Sequence, residues 1–259
     1  EAYCNGRVHI VLEDDNGRGE QHQVVELVGF PSPSLTFCGH FPGSPLEAET
    51  DTHIIRDRLG CLVNRYGTDN ILFSVLEGWA TEAFHLELLN FGFVHDVRRP
   101  IMILSVGDFL KIEHGHAISI AEYVPERVTT LARANQYIKL RPAPLQFMMQ
   151  AMPEAAFADP TVQHWCLSHK ASEQCVSTAQ ISFYDAGKAG YLDQVATLKQ
   201  WRGQGLASAL VLHVIREAFN QFPQLNQIYL DSTPMTVSIY EKIGFKTIGW
   251  VNEYRPSCK

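Results

Sequence analysis

Apolar and polar positions change period several times along this chain, and each change marks an element. Ile54, Ile55, Leu59, Leu62 and Val63 recur at helical spacing, which predicts a helix from Asp51 to Tyr66. Ile71 to Val75 is a short apolar run and reads as a strand. Thr81 to Phe91 carries Phe84, Leu86, Leu88 and Leu89 and stops at Gly92, which suits a left-handed cap, so a second helix is expected. Ile101 to Val106 is again a strand. Upstream, Val8 to Leu12 and Val24 to Val28 are apolar enough for strands, with the turn-rich Asp14 to Gly19 between them. Phe30 to Pro45 is a loop punctuated by prolines, each of which removes a donor and fixes its own φ.

The pattern then restarts. Ala117 to Tyr123 reads as a strand, and Glu126 to Tyr137 and Pro144 to Met152 as helices, the second opening on a proline that a first turn tolerates. Cys175 to Phe183 alternates like a strand. Asp185 to Gly190 turns the chain into a further strand, Tyr191 to Leu198, and the glycines favour that hairpin. Leu206, Leu210, Val211, Val214, Ile215 and Phe219 share one face of an amphipathic helix. Gln227 to Leu230 is a strand. Thr233 caps a helix whose first residue is Pro234 and whose end is Gly244, and Lys246 to Val251 closes the chain as a strand.

The second half therefore predicts helix, helix, strand, strand, helix, strand, helix, strand. That is an α/β fold with a mixed, mostly antiparallel sheet flanked by helices. The first half shows a looser version of similar order. The boundary is expected near Ile112, giving domains 1–112 and 113–259. Irregular segments around Phe30 to Pro45 and Ala143 to His169 are expected to shape a ligand groove.

Composition narrows the possible partners. The 259 residues carry a net charge of −7 with histidine neutral, which argues against a broad phosphate-binding face, so no nucleic acid is expected. The same charge is compatible with a cationic acceptor. No apolar run approaches the about 18 residues of a membrane span. Glu1 to Arg7 lacks the basic and apolar regions of a signal peptide. The six cysteines are scattered and form no Cys-x-x-Cys, which suits a reduced, cytoplasmic protein. His114-Gly-His116 has no cysteine or acidic cluster beside it, so no metal is expected. Cys166 and Cys175 stand beside no motif and read as buried structural thiols.

The chemistry is concentrated in Val195-Ala-Thr-Leu-Lys-Gln-Trp-Arg-Gly-Gln-Gly-Leu-Ala207, a strand running through a glycine loop into a helix. Free amides at a helix N-terminus suit an anion, and Gly203 and Gly205 permit positive φ and close approach. Gly203-Gln-Gly-Leu-Ala-Ser208 also looks like a dinucleotide fingerprint, with Asp231 ending the next strand. Against that, Lys199 to Arg202 separate strand from first glycine, the third glycine is Ser208, and too few residues remain for a doubly wound sheet.

Gln200-x-x-Gly203-x-Gly205, followed downstream by Tyr240-Glu-Lys-Ile-Gly-Phe245, resembles the acyl-CoA site of the GCN5-related N-acetyltransferases (GNAT). The resemblance implies that the amides of Gly203, Gln204, Gly205, Leu206 and Ala207 hold the diphosphate of acetyl-CoA, with Arg202 adding charge. It implies that Val195 and Thr197 pair through their backbone with the pantetheine arm, and that Tyr240 protonates the departing thiolate. The family's asparagine near the start of the tyrosine helix is replaced here by Thr233-Pro234. The acceptor amine must lose a proton, for which Asp193, Asp231, or a strand carbonyl with waters are the candidates. Leu88-Leu-Asn-Phe-Gly-Phe93 echoes the Gly-Phe ending without the tyrosine, so the first half resembles the degenerate repeat of tandem members. Two GNAT-like domains are expected, the second transferring an acetyl group to a primary amine of a small molecule or peptide by direct attack in a ternary complex. A non-catalytic acyl-CoA sensor and a protein-interaction module are the alternatives.

Overall fold

The computed structural model describes residues 49–68, 71–78, 80–112, 121–141, 146, 149–150 and 152–257, together with the backbone of strands 7–11, 24–28 and 38–40. The turn expected at Asp14 to Gly19, His114-Gly-His116, and most of Phe30 to Pro45 and Pro144 to Met152 lie outside these residues. The chain divides into two compact units, 1–100 with 249–259, and 101–248.

In the first unit, β1 (Arg7–Val11) and β2 (Val24–Val28) pair antiparallel. β3 (Cys38–His40) runs parallel to β4 (Ile71–Leu76), and β4 pairs antiparallel with Val251 to Tyr254 of the C-terminal strand Lys246–Pro256. α1 (Thr52–Tyr66) begins where Asp51 accepts from the amide of His53 at 2.8 Å, and α2 (Glu82–Asn90) where Thr81 accepts from that of Phe84 at 3.2 Å. Ile55, Leu59, Phe73, Phe84, Leu88, Phe93 and Tyr254 form the core of this unit. Ile54, expected on the buried face of α1, is 39% exposed. Arg56 lies across from buried Glu87, donating to its two carboxylate oxygens at 3.0 and 2.8 Å.

β5 (Phe93–Ser105) passes from the first unit into the second, and α3 (Val106–Ile112) follows. Only the apolar end of β5 was readable, because Arg98, Arg99 and Pro100 interrupt the run before Ile101. Within the second unit come β6 (Tyr123–Arg127), α4 (Leu131–Ile138), α5 (Glu154–Phe157), β7 (Val162–His169), β8 (Cys175–Tyr184), β9 (Ala189–Thr197), α6 (Leu206–Gln221), β10 (Gln227–Asp231) and α7 (Val237–Ile243). Hydrogen-bonded neighbours run β5, β10, β9, β8, β7, β6, all antiparallel except β10 with β9. The result is a mixed sheet flanked by helices.

Three expectations change here. Glu126 and Arg127 belong to β6, paired with Cys166 and Trp165, and the helix starts only after Thr130, which accepts from the amide of Arg133 at 3.4 Å. Val162 to His169, expected to be irregular, is a strand: Gln163 through Leu167 are buried on both faces, so polar and apolar residues do not alternate there. The tyrosine helix starts at Val237 rather than Pro234. Thr233 instead makes the preceding turn, its carbonyl accepting from the amide of Thr236 at 2.9 Å.

α6 places Leu206, Leu210, Val211, Val214 and Ile215 in one core with Leu167, Val176, Ile181, Ile228, Leu230 and Tyr240. The β8–β9 turn holds three successive residues at positive φ, Asp185, Ala186 and Gly187. At Gly187 (φ 86°) a Cβ would lie 2.8 Å from both Gln224 Nε2 and Phe222 Cδ1. Gly187→Ala combines left-handed strain with that clash, and an unfolding titration is expected to show a loss of about 1–3 kcal/mol.

Candidate active site

The site begins where two parallel strands part. Among the described residues, β10 pairs with β9 only from Gln227 opposite Ala189 to Tyr229 opposite Tyr191. β9 continues to Thr197, still paired with β8 on its other side. Between the pairs Gln180–Asp193 and Thr178–Ala196, two residues of β9, Gln194 and Val195, oppose the single Ala179. Gln194 takes φ 54°, so this is a bulge, and a bulge bends its strand. The stretch Leu192 to Thr197 thus offers an edge that β10 does not cover.

The strand leads into the glycine loop. The amide of Leu198 donates to Val176 O at 2.9 Å, and Lys199 to Trp201 form one 3-10 turn. Gly203 (φ 78°) and Gly205 (φ 77°) both need the left-handed region, which glycine occupies without cost. Gly205 is the N-cap of α6 and brings no capping side chain. The helix ladder starts only with the amide of Ala209 on Gly205 O at 2.9 Å, so the amides of Leu206, Ala207 and Ser208 face out with the positive end of the helix dipole. A Cβ at Gly203 would meet nothing within 4 Å, so the space beside that residue is open. These are the features of an anion cradle.

The other loop residues divide. Gln200, Arg202 and Gln204 are exposed. Arg202 Nε donates to Thr197 O at 3.0 Å, so this carbonyl is already engaged and the guanidinium stays near the loop. Val195 is half-buried against the core. The loop is also braced from one side in a way the sequence did not reveal. Trp201 packs against His169 (4.9 Å between ring centroids) and Tyr123 (5.9 Å), and the Tyr123 hydroxyl donates to Gln204 Oε1 at 3.3 Å. Tyr123 and His169 stand on β6 and β7, too far away in sequence for any local pattern to signal them.

Tyr240 lies on α7, buried, with its ring edge-on to Phe245 at 5.8 Å. Burial pushes its phenol up to about 12, and the carboxylates of Asp193 and Asp231 add to the shift. The fold therefore brings Tyr240, Asp193 and Asp231 within electrostatic reach. Asp231 accepts from the Tyr191 hydroxyl. Asp193 accepts from the backbone amide of Gln194 at 2.6 Å and from its Nε2 at 3.1 Å. Sequence reasoning missed Arg141, which donates to Gln194 O and Thr178 Oγ1 across the bulge. Cys166 and Cys175 are buried with sulfurs 2.7 Å apart, and that contact, then burial, raises the Cys166 thiol far above its ordinary range. Such a thiol is a poor nucleophile. Among the described residues no group of three or more His, Cys, Asp or Glu side chains could hold a metal ion, and no helix is long and apolar enough to cross a membrane.

The site thus offers an anion cradle, an uncovered strand edge and a neutral phenol within electrostatic reach of two carboxylates. The family model described as an acetyltransferase (GNAT) domain matches residues 126–255. A functionally unknown conserved protein from Staphylococcus epidermidis superposes with a TM-score of 0.67 at 14% identity, covering 99% of this chain and 96% of its own. A GCN5-related N-acetyltransferase from Kribbella flavida gives 0.58 at 14%, covering 85% and 79%. A tandem GNAT protein from the clavulanic acid biosynthesis pathway gives 0.60 at 11%, covering 81% and 73%. At these identities the likeness is one of fold. No curated protein matches the chain in sequence.

Because the neutral phenol is the favoured form, Tyr240 is expected to stay protonated through the range where an ordinary tyrosine ionises, near 10, and to titrate near about 12. The difference in ultraviolet pH titration between the protein and its Tyr240→Phe variant isolates this group. A difference centred near pH 10 would contradict the burial described.

Proposed function

The chain belongs to the GNAT acetyltransferase family, and from that premise we propose that it transfers an acetyl group from acetyl-CoA to a primary amine by direct attack, without a covalent enzyme intermediate. The observation that carries this reading is the uncovered edge of β9 leading into the glycine loop at the start of α6, with the Tyr240 phenol in electrostatic reach of Asp193 on the same strand. In the proposed complex the amides of Gly203 to Ala207 hold the diphosphate, with Arg202 and Gln200 at its margin. The edge at Val195 and Thr197 receives the pantetheine amides. Arg202 competes for the Thr197 carbonyl and must yield if that oxygen takes part. The thioester then lies toward the bulge.

Tyr240 serves as the acid. The elevated pKa keeps its proton on at physiological pH, and a thiolate that receives a proton as it departs is a better leaving group. Asp193 is the candidate base for the acceptor amine, directly or through water, with Asp231 as the second candidate. The acceptor is a small-molecule or peptide amine, and no metal takes part in the proposed chemistry. Residues 113–259 act as the catalytic domain and residues 1–112 as a degenerate GNAT-like partner. The supports for that division are the missing loop motif in the first half and the fold likeness to a tandem GNAT protein. A sensor that binds acyl-CoA without turnover is the alternative, and acetyl-CoA consumption across a panel of amines separates the two.

Calorimetry with CoA tests the cradle and the division together. One site per chain is expected, and Gly205→Glu, which adds bulk and like charge before the diphosphate, should abolish it while the circular dichroism spectrum is kept. Unchanged affinity would remove the loop from the site, and two sites per chain would show that the first half is not degenerate. Tyr240→Phe should lower kcat by about 10²–10⁴, the usual worth of a positioned acid, with CoA affinity nearly intact. Wild-type turnover from this variant on a true acceptor would make Tyr240 a core residue only.

A further inference from the structure

Arg141 is only 5% exposed, and among the described residues the acceptors of its hydrogen bonds are neutral groups. Its guanidinium lies over the Tyr137 ring, with Cζ 4.3 Å from the centroid. From there it donates through Nη1 to the backbone oxygen of Gln194, and to Gln194 Oε1 at 3.2 Å, and through Nη2 to Thr178 Oγ1. Every one of these acceptors belongs to the bulge or to the strand facing it. Gln194 is a non-glycine residue in the left-handed region, a conformation that costs about 1–3 kcal/mol and persists only where the surroundings over-determine it. Asp193 holds the amide side of the same residue, at 2.6 Å to its backbone nitrogen. Gln194 is thus gripped from both ends. Its carbonyl sits where two residues oppose one, the place where a ladder loses a bond.

We propose that Arg141 is a positioning residue that clamps the β9 bulge, and so sets the strand edge Val195 to Thr197 and the direction of Asp193. Catalysis by such a residue is indirect: it touches neither acyl donor nor acceptor. Arginine suits the task because its fork spans two acceptors on different strands, which a single ammonium does not. Without the clamp the bulge loses its reason to keep Gln194 left-handed, and the strand relaxes toward regular pairing. Since side chains alternate along a strand, a register change of one residue sends the edge downstream to the wrong face. The consequence for activity rests on the acetyl transfer proposed above, whereas the consequence for backbone order does not.

The test uses both readouts. Arg141→Met keeps the stem and removes the donors. It should lower kcat/KM for acetyl-CoA by about 10- to 100-fold, the scale of a misplaced reacting geometry. It should also speed hydrogen exchange at the amides of Val195 to Leu198. Adding Gln194→Gly should recover much of both losses, because glycine holds positive φ unaided and exposes the freed carbonyl to water. Arg141→Lys should fall between, reaching one acceptor at a time, and supplies the same comparison if the methionine variant does not fold. A double variant no better than the single one, or normal exchange and kinetics in Arg141→Met, would overturn the clamp and leave Arg141 as core packing. Wild-type protein inert toward acetyl-CoA and every amine tried would sink the proposed function, while the exchange comparison would still decide the clamp.

Discussion

The second unit depends on β9 having two different edges. Toward β8 it is paired to its end, apart from the bulge. Toward β10 the pairing stops after Tyr191. A parallel pair that closed fully would bury those backbone groups in a ladder and leave nothing to receive a ligand. The bulge at Gln194 and Val195 falls beyond the last paired residue, where bending costs no β10 bonds. The glycine loop inherits its direction from that bent strand, and α6 inherits its start from the loop. The carboxylate of Asp193 sits at the branch itself.

The legible part of the site was the part written in local conformation. Gly203 and Gly205 stand where positive φ is required, and the spacing to Leu206 marks the helix start, so strand, loop and helix could be read together. Gly244, at φ 100°, ends the tyrosine helix as its sequence implied. That helix starts later than Thr233 and Pro234 suggest, because the Thr233 carbonyl accepts from the Thr236 amide and closes a turn first. β7 was invisible for a different reason. Its buried Gln163, His164 and Ser168 look like surface residues, and only the packing of both faces explains them. Arg141 could not have been found, since its partners Thr178 and Gln194 lie far along the chain and neither is acidic.

Polar burial in this region is costly and specific at once. Among the described residues neither buried ring nitrogen of His164 has a hydrogen-bond partner, and burial, aided by the Arg141 and Arg127 charges, lowers it to about 4, so the ring stays neutral. The Tyr137 phenol, fully buried beneath Arg141, is pushed the other way by the same loss of water. Both groups keep their uncharged forms beside the charged guanidinium of Arg141. A cluster of this kind tolerates few alternative packings, which favours a single arrangement of β7, β8 and α4.

The discontinuity of the first unit bears on how the chain is made. Phe73 to Leu76 find their antiparallel partners only at Val251 to Tyr254, and Tyr254 completes the core with Phe73 and Leu88. A growing chain emerges N-terminal end first, so β4 lacks its partner at this edge, and the core lacks Tyr254, until the residues beyond 248 are synthesised. The second unit has no such delay. Biosynthesis therefore orders the two: residues 101–248 are made before the strand that seals the first unit.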